Sequence, residues 1–220
     1  MNRIAVVPAA LLMSFLAACS TGPSGAELAY DGIGPDSIDS VDKRERFDKA
    51  VLPLEFKNER VSVKPGYSIA ASATGSAAAG KRGNDAVNLN ARDVATVEFV
   101  NAIRMNPKNA DAYFGLGNSV TMRGKTNEAI AAYATALELR PDWIQARYEL
   151  GMGYWKANRM DEATAQFRAI LDQDARNGPA HERLAVAAYY AGDKQEALRH
   201  AAAAKAAGTD VPAQLYELLK

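Results

Sequence analysis

Four alanines, Ala95, Ala129, Ala163 and Ala197, stand 34 residues apart each time. A beat of that length restricts the fold more than any other property of the chain. Each period is one small unit that cannot bury its apolar face alone and must stack on its neighbours. Other columns keep the same phase: Phe99, Tyr133, Phe167 and Ala201; Ala102, Ala136, Ile170 and Ala204; Pro107 and Pro141. Ahead of each alanine run stand Leu116, Leu150 and Leu184, followed by the small residues Gly117, Gly151 and Ala185.

Within one period, Tyr113, Leu116, Gly117 and Val120 recur at helical spacing, as do Ala129, Tyr133 and Ala136, with Gly124 between the two runs. Each period therefore reads as two antiparallel helices joined by a short turn. Small residues in the Gly117 and Ala129 columns let two backbones approach, and the aromatic column fills the space beside them. Pro141 cannot continue the helix before it and separates one period from the next. These columns resemble the tetratricopeptide repeat (TPR) family over roughly the last 128 residues. The resemblance implies an all-α superhelix in residues 91–220, with three full repeats at Asn109–Asp142, Trp143–Arg176 and Asn177–Asp210. One capping helix, Asp93 to Asn106, precedes them, since its expected partner falls in an Ala/Gly-rich stretch. The last repeat departs most, with Ala201 for an aromatic and Lys205 where Leu137 and Leu171 stood; Gln214 to Lys220 is expected to close the array after Pro212.

The chain before the array reads differently. Arg3, the apolar run Ile4 to Leu16 and the small residues Ala17 and Ala18 form a secretory leader, residues 1–18, too short to span a bilayer. Leu16-Ala17-Ala18-Cys19 resembles the lipobox of bacterial lipoproteins, which implies cleavage before Cys19 and acylation of that residue. Several acyl chains on one residue give a stable anchor, and by the same resemblance Ser20 favours the outer membrane, facing the periplasm. Residues 19–90 are rich in Gly, Ser, Ala and Pro and read as a tether reaching on the order of 45 Å, with Ser68 to Ala86 as linker. Asp31 to Asp42 and Lys43 to Lys49 read as a solvated charged face. Leu52, Leu54 and Phe56, then Val61 and Val63, alternate around Lys57-Asn58-Glu59, which allows either a short hairpin or an extended segment that docks on a partner or on the chain itself. Pro53 confines the first strand to an edge.

Chemistry is sparse. Basic and acidic residues balance at 26 each, which argues against a nucleic-acid footprint. One cysteine excludes an intramolecular disulfide. His181 stands in the column of Tyr113 and His200 in another helix, which suits packing rather than ligation. Glu128, Glu162 and Glu196 recur near helix starts, where negative charge is favoured. No metal, cofactor or enzymatic motif is read.

What remains is a surface. The TPR resemblance places the first helix of each pair along a concave wall carrying Asp111, Phe114, Asn118, Thr121 and Met122, then Gln145, Tyr148, Met152, Trp155 and Lys156, then Glu182, Val186, Tyr189 and Tyr190. Aromatic and methionine side chains on such a wall suit an extended or helical peptide; alternatively the wall only packs, with Trp155 and Tyr189 covered by the N-terminal segment or by the curve of the array itself. TPR domains that hold chaperone tails use a carboxylate clamp, and Asn118 and Arg183 match it. Phe114, Glu149 and Pro179 stand where Lys, Asn and Lys are required, which argues against a chaperone-tail receptor. The layout is similar to TPR assembly lipoproteins of tight-adherence (Flp-type) or type IV pili, implying a membrane-anchored adaptor for a protein or peptide partner. An adaptor for peptidoglycan enzymes or outer-membrane protein assembly, or a passive structural lipoprotein, stands as the alternative.

Overall fold

The computed structural model describes residues 47–212, together with 215 and 217. The leader, Cys19 and most of the closing segment lie outside the described residues. Among the described residues a helical stretch at 47–51 comes first, then a hairpin of β1 (Leu54–Lys57) and β2 (Arg60–Val63), then eight helices of the array: α1 (Ala73–Asn88), α2 (Arg92–Met105), α3 (Ala110–Thr121), α4 (Thr126–Leu139), α5 (Ile144–Lys156), α6 (Met160–Gln173), α7 (Gly178–Tyr190) and α8 (Lys194–Ala206). Each helix packs on its sequence neighbours, so consecutive pairs stack into the expected all-α superhelix.

The aromatic column explains the small one. A methyl group added at Gly83 or Gly115 would collide with the Phe99 ring, one at Gly117 with Tyr133, and one at Gly151 with Phe167. Phe99, Tyr133 and Phe167 are all buried, and each ring lies across the facing helix backbone where only glycine leaves room. In the last pair Ala201 replaces the ring and Ala185 replaces the glycine, so the two columns change together. Turns between helices close at Gly124, Asn158 and Gly192, all at positive φ. Helix starts are capped by Asn109, Asn177 and Asp193, whose side chains accept from Ala112, Ala180 and Glu196 amides. Asp111, Glu128, Asp161, Glu162 and Glu196 occupy first turns, the place the acidic column was given.

The N-terminal boundary of the array is corrected. From Ala73 the expected linker Ser68 to Ala86 is helical, and α2 is not a solitary cap: α1 pairs with it and supplies the first helix of a fourth pair. Ser72 starts α1 by accepting from Gly75, and Ser76, Ala79, Gly83 and Ala86 form its buried stripe. These residues stand in the columns of Ala110, Tyr113, Gly117 and Val120, shrunk to the smallest side chains. Helical periodicity in bulky apolar residues is absent there because the helices approach so closely that bulk has no room. Gly83 kept the phase and was the available signal, while Arg82 stood where a leucine was expected.

The tether is corrected too, since residues 47–63 lie folded on the array. Of the two readings for this stretch, the hairpin is found: Leu54 pairs with Val63 and Phe56 with Val61. Asn58 and Glu59 both take positive φ, the geometry of a two-residue turn whose twist matches the strands. Pro53 sits just outside β1, where its carbonyl accepts from the Lys64 amide. Leu54 and Val61 are buried against α4, and the Val61 amide donates to Thr135 Oγ1 at 2.9 Å. The effect on α4 is local: Ala131 is 3% exposed, whereas Val97 in the same column of α2 is 41% exposed. Phe47 is buried rather than solvated, with the Arg123 and Lys125 side chains over its ring. At the other end, Val211 and Leu215 pack on Ala185, Ala197, Ala201 and Ala204.

Candidate functional site

The aromatic residues expected on the wall fall into two groups. In the first, Phe114 on α3 lies between Tyr133 (centroids 5.7 Å apart) and Trp143 (4.5 Å). The Arg140 guanidinium covers the Trp143 ring at 4.3 Å and donates two hydrogen bonds to the Asp111 carboxylate. Phe114 therefore ties one repeat to the next, and Trp143 was not among the expected wall residues. Its signal was a departure, tryptophan in the column where Asn109 and Asn177 cap their helices.

The second group runs from α5 to α7. Tyr148 meets Phe167 at 5.6 Å, Phe167 meets Trp155 at 6.5 Å, Trp155 meets Tyr190 at 6.3 Å edge-on, and Tyr190 meets Tyr189 at 5.7 Å. Tyr190 is 53% exposed, and Trp155, Tyr148, Tyr189 and Met152 are half-buried. The ladder is thus rooted on a core ring and open at its rim. Lys156 and Gln145 are exposed beside it. The hairpin, which was one candidate to cover Trp155 and Tyr189, instead makes its hydrogen bonds to Thr135 and Glu138 on α4 and to Tyr154 and Arg159.

Polar residues along the wall are engaged. Asn118 Oδ1 accepts from the Tyr133 hydroxyl at 2.9 Å, and Thr121 donates to the Gly117 carbonyl. Arg183 Nε donates to the Tyr148 hydroxyl at 3.0 Å. Burial pushes the Tyr148 hydroxyl up, so it stays protonated and can offer its own hydrogen. Burial also raises the Glu149 carboxyl, against the pull of Lys156. One expectation is corrected: Glu182 does not face an open groove but is buried beside Arg183, its carboxylate 3.8 Å from that guanidinium. A buried charge is retained only with partners, and the α7 surface at this level is closed. Met122 and Val186 are half-buried.

The histidines meet despite their separation in sequence. His181 Nδ1 lies 2.7 Å from His200 Nδ1, and His181 Nε2 lies 3.2 Å from the Ala175 carbonyl. In the tautomer with its proton on Nε2, His181 donates to this carbonyl and His200 donates across the pair. In the first full repeat the Tyr113 hydroxyl donates to the Pro107 carbonyl, the same column to column bond. His181 therefore packs as a shortened Tyr113, and burial lowers the His200 pKa, helped by Arg199. Among the described residues no group of three or more His, Cys, Asp and Glu could hold a metal ion, and no helix is long and apolar enough to cross a membrane.

Two family models, both described as tetratricopeptide repeat, match residues 81–142 and 120–181. Human tetratricopeptide repeat protein 6 is 30% identical over 114 residues, half of this chain and 22% of that protein. The peroxisomal targeting signal receptor of Saccharomyces cerevisiae is 33% identical over 73 residues, a third of this chain and 12% of the receptor. The chain thus spans only about a fifth and an eighth of these relatives' lengths. Among solved structures, MamA MSR-1 superposes with a TM-score of 0.55 at 25% identity, covering 60% of this chain and 76% of its own. The first TPR of Spaghetti (RPAP3), bound to the HSP90 peptide SRMEEVD, gives 0.54 at 15% identity, covering 57% and 99%, a likeness of fold alone. The repeat models enter at Lys81, inside α1, and run without a gap to His181, so this stretch of the chain is similar to tetratricopeptide repeats, in agreement with the columns and the stacked pairs.

Proposed function

We propose that the chain is a lipid-anchored adaptor at the periplasmic face of the outer membrane, whose concave wall holds an extended peptide of a partner during assembly of a pilus-type envelope machine. An interaction scaffold is what the repeat fold supports, and a TPR domain of similar fold holds a peptide. The observation that carries the reading is the ladder from Tyr148 through Trp155 to Tyr190. Its inner end is fixed on Phe167 and its outer end is open, so apolar side chains of a peptide gain burial without first ordering the wall. Phe114 and Glu149, in two clamp positions, are a stacked ring and a carboxyl, which disfavours an acidic chaperone tail. Cys19 supplies the anchor, and the pilus-type partner rests on the likeness of leader, Cys19 and repeat array to such lipoproteins.

The test is a paired substitution in the full-length chain, expressed in a diderm bacterium. Trp155→Ala with Tyr190→Ala should leave helicity unchanged and lose the cross-linked envelope partner. Retention of every co-purifying protein by the folded double variant rejects the wall as the binding surface. Independently, Cys19→Ala should abolish incorporation of a labelled lipid precursor; label that persists rejects acylation at that residue.

A further inference from the structure

The 34-residue columns build one cleft twice. Between α4, α5 and α6 it is filled: Ile130 lies against Gly153, and Tyr154 is buried with its hydroxyl donating to Glu59 at 2.6 Å. Arg159 donates to the same carboxylate at 2.5 Å, so the hairpin tip closes the mouth. Between α6, α7 and α8 the same columns hold Thr164 for Ile130 and Ala188 for Tyr154. The hairpin lies one repeat earlier, and a cavity of about 410 Å³ remains, lined by Thr164, Leu184, Ala187, Ala188, Asp161 and Arg168 among others. Its volume falls in the range of ligand sites, and Leu184, Ala187, Ala188 and Ala191 supply its apolar lining. Asp193 stands in the column of Arg159, and the lining itself carries two carboxylates, Asp161 and Glu196, beside Arg168 and His200.

We propose that this cleft docks a tyrosine side chain from an extended segment of a partner protein, with a basic residue next to that tyrosine set against Asp161 and Asp193. The upstream copy defines the occupant. There the space takes a phenol ring whose hydroxyl is met at the mouth by an acidic residue, backed by an arginine, from a separate strand-turn segment. Here the ring is missing from the array itself, and acid in place of Arg159 asks for a base on the incoming chain. The site is continuous with the hairpin's dock through α6 and separate from the concave wall, so it stands whether or not the peptide reading of that wall holds.

The probes are p-cresol and the blocked dipeptides acetyl-Lys-Tyr-amide and acetyl-Glu-Tyr-amide, titrated into the full chain while the methyl signals of Thr164, Ala187 and Ala188 are followed. The Lys-Tyr dipeptide should shift those methyls saturably, and the Glu-Tyr dipeptide should bind about fivefold more weakly at low salt, the difference fading as salt is added. Thr164→Ile and Ala188→Tyr, which restore the upstream residues, should each remove the shifts; where Ala188→Tyr does not fold, Thr164→Ile decides. Absence of saturable shifts, or shifts that survive Thr164→Ile, overturns the proposal. So does p-cresol binding as tightly as the Lys-Tyr dipeptide with no preference between the two dipeptides, which would make the cleft a pocket for small phenols only.

Discussion

The α5–α6 pair and the α7–α8 pair are drawn on the same columns and end as different objects. In the first, Phe167 lies over Gly151, Tyr154 fills the outer cleft and the hairpin tip seals it. In the second, Ala201 faces Ala185, Ala188 leaves the cleft open, and two histidines replace the larger polar contacts. A repeat therefore specifies where backbones lie, while the size of a few side chains sets how much of the space between them is protein. The rigid pair roots the aromatic ladder, and the lighter pair carries its exposed rim at Tyr190.

That contrast predicts a gradient of sensitivity. Phe167→Ala removes a fully buried ring wedged over glycine and should cost about 3–5 kcal/mol in denaturant unfolding, whereas Ala201→Gly in the matching column should cost about 1 kcal/mol. Equal losses would mean that the two pairs are packed alike. Leu54→Ala unseats the hairpin and should cost about 2–4 kcal/mol, with amide exchange rising across α4 and leaving α8 unchanged; a rise spread evenly over the array would show that the hairpin is not a local cover. The smallest effect belongs to His200. Its folded pKa lies below the ordinary 6.5 because of burial and Arg199, so the unfolded chain binds the proton first as pH falls. Stability of the α7–α8 pair should be full above pH 6.5 and decline below it. His200→Gln should flatten that slope, and an unchanged slope would place the sensitivity elsewhere. His181 and Glu196 face the same ring.

Much of the fold was legible before any coordinates. The Ala129 and Tyr133 columns placed six of the eight helices in their pairs, and α2 as half of one. Positions for the wall residues were assigned from the resemblance to the repeat family, in which facing follows the helical period. Their condition was not: Phe114 is stacked under Trp143, Glu182 is buried, and Asn118 is already bonded to Tyr133. Facing says where a side chain starts, and whether it is free depends on what the neighbouring repeat brings to the same place.

Periodicity is a property that every repeat restates, so the 34-residue beat alone was enough to read a stack of helix pairs. Contacts made once leave no such trace. The Val61 amide meets Thr135 across 74 residues, and Glu59 meets Arg159 across 100. Folding the hairpin onto α4, pairing α1 with α2 through small residues and leaving the cleft at Ala188 unfilled were settled by packing, where a side chain's effect depends on the volume already taken by others.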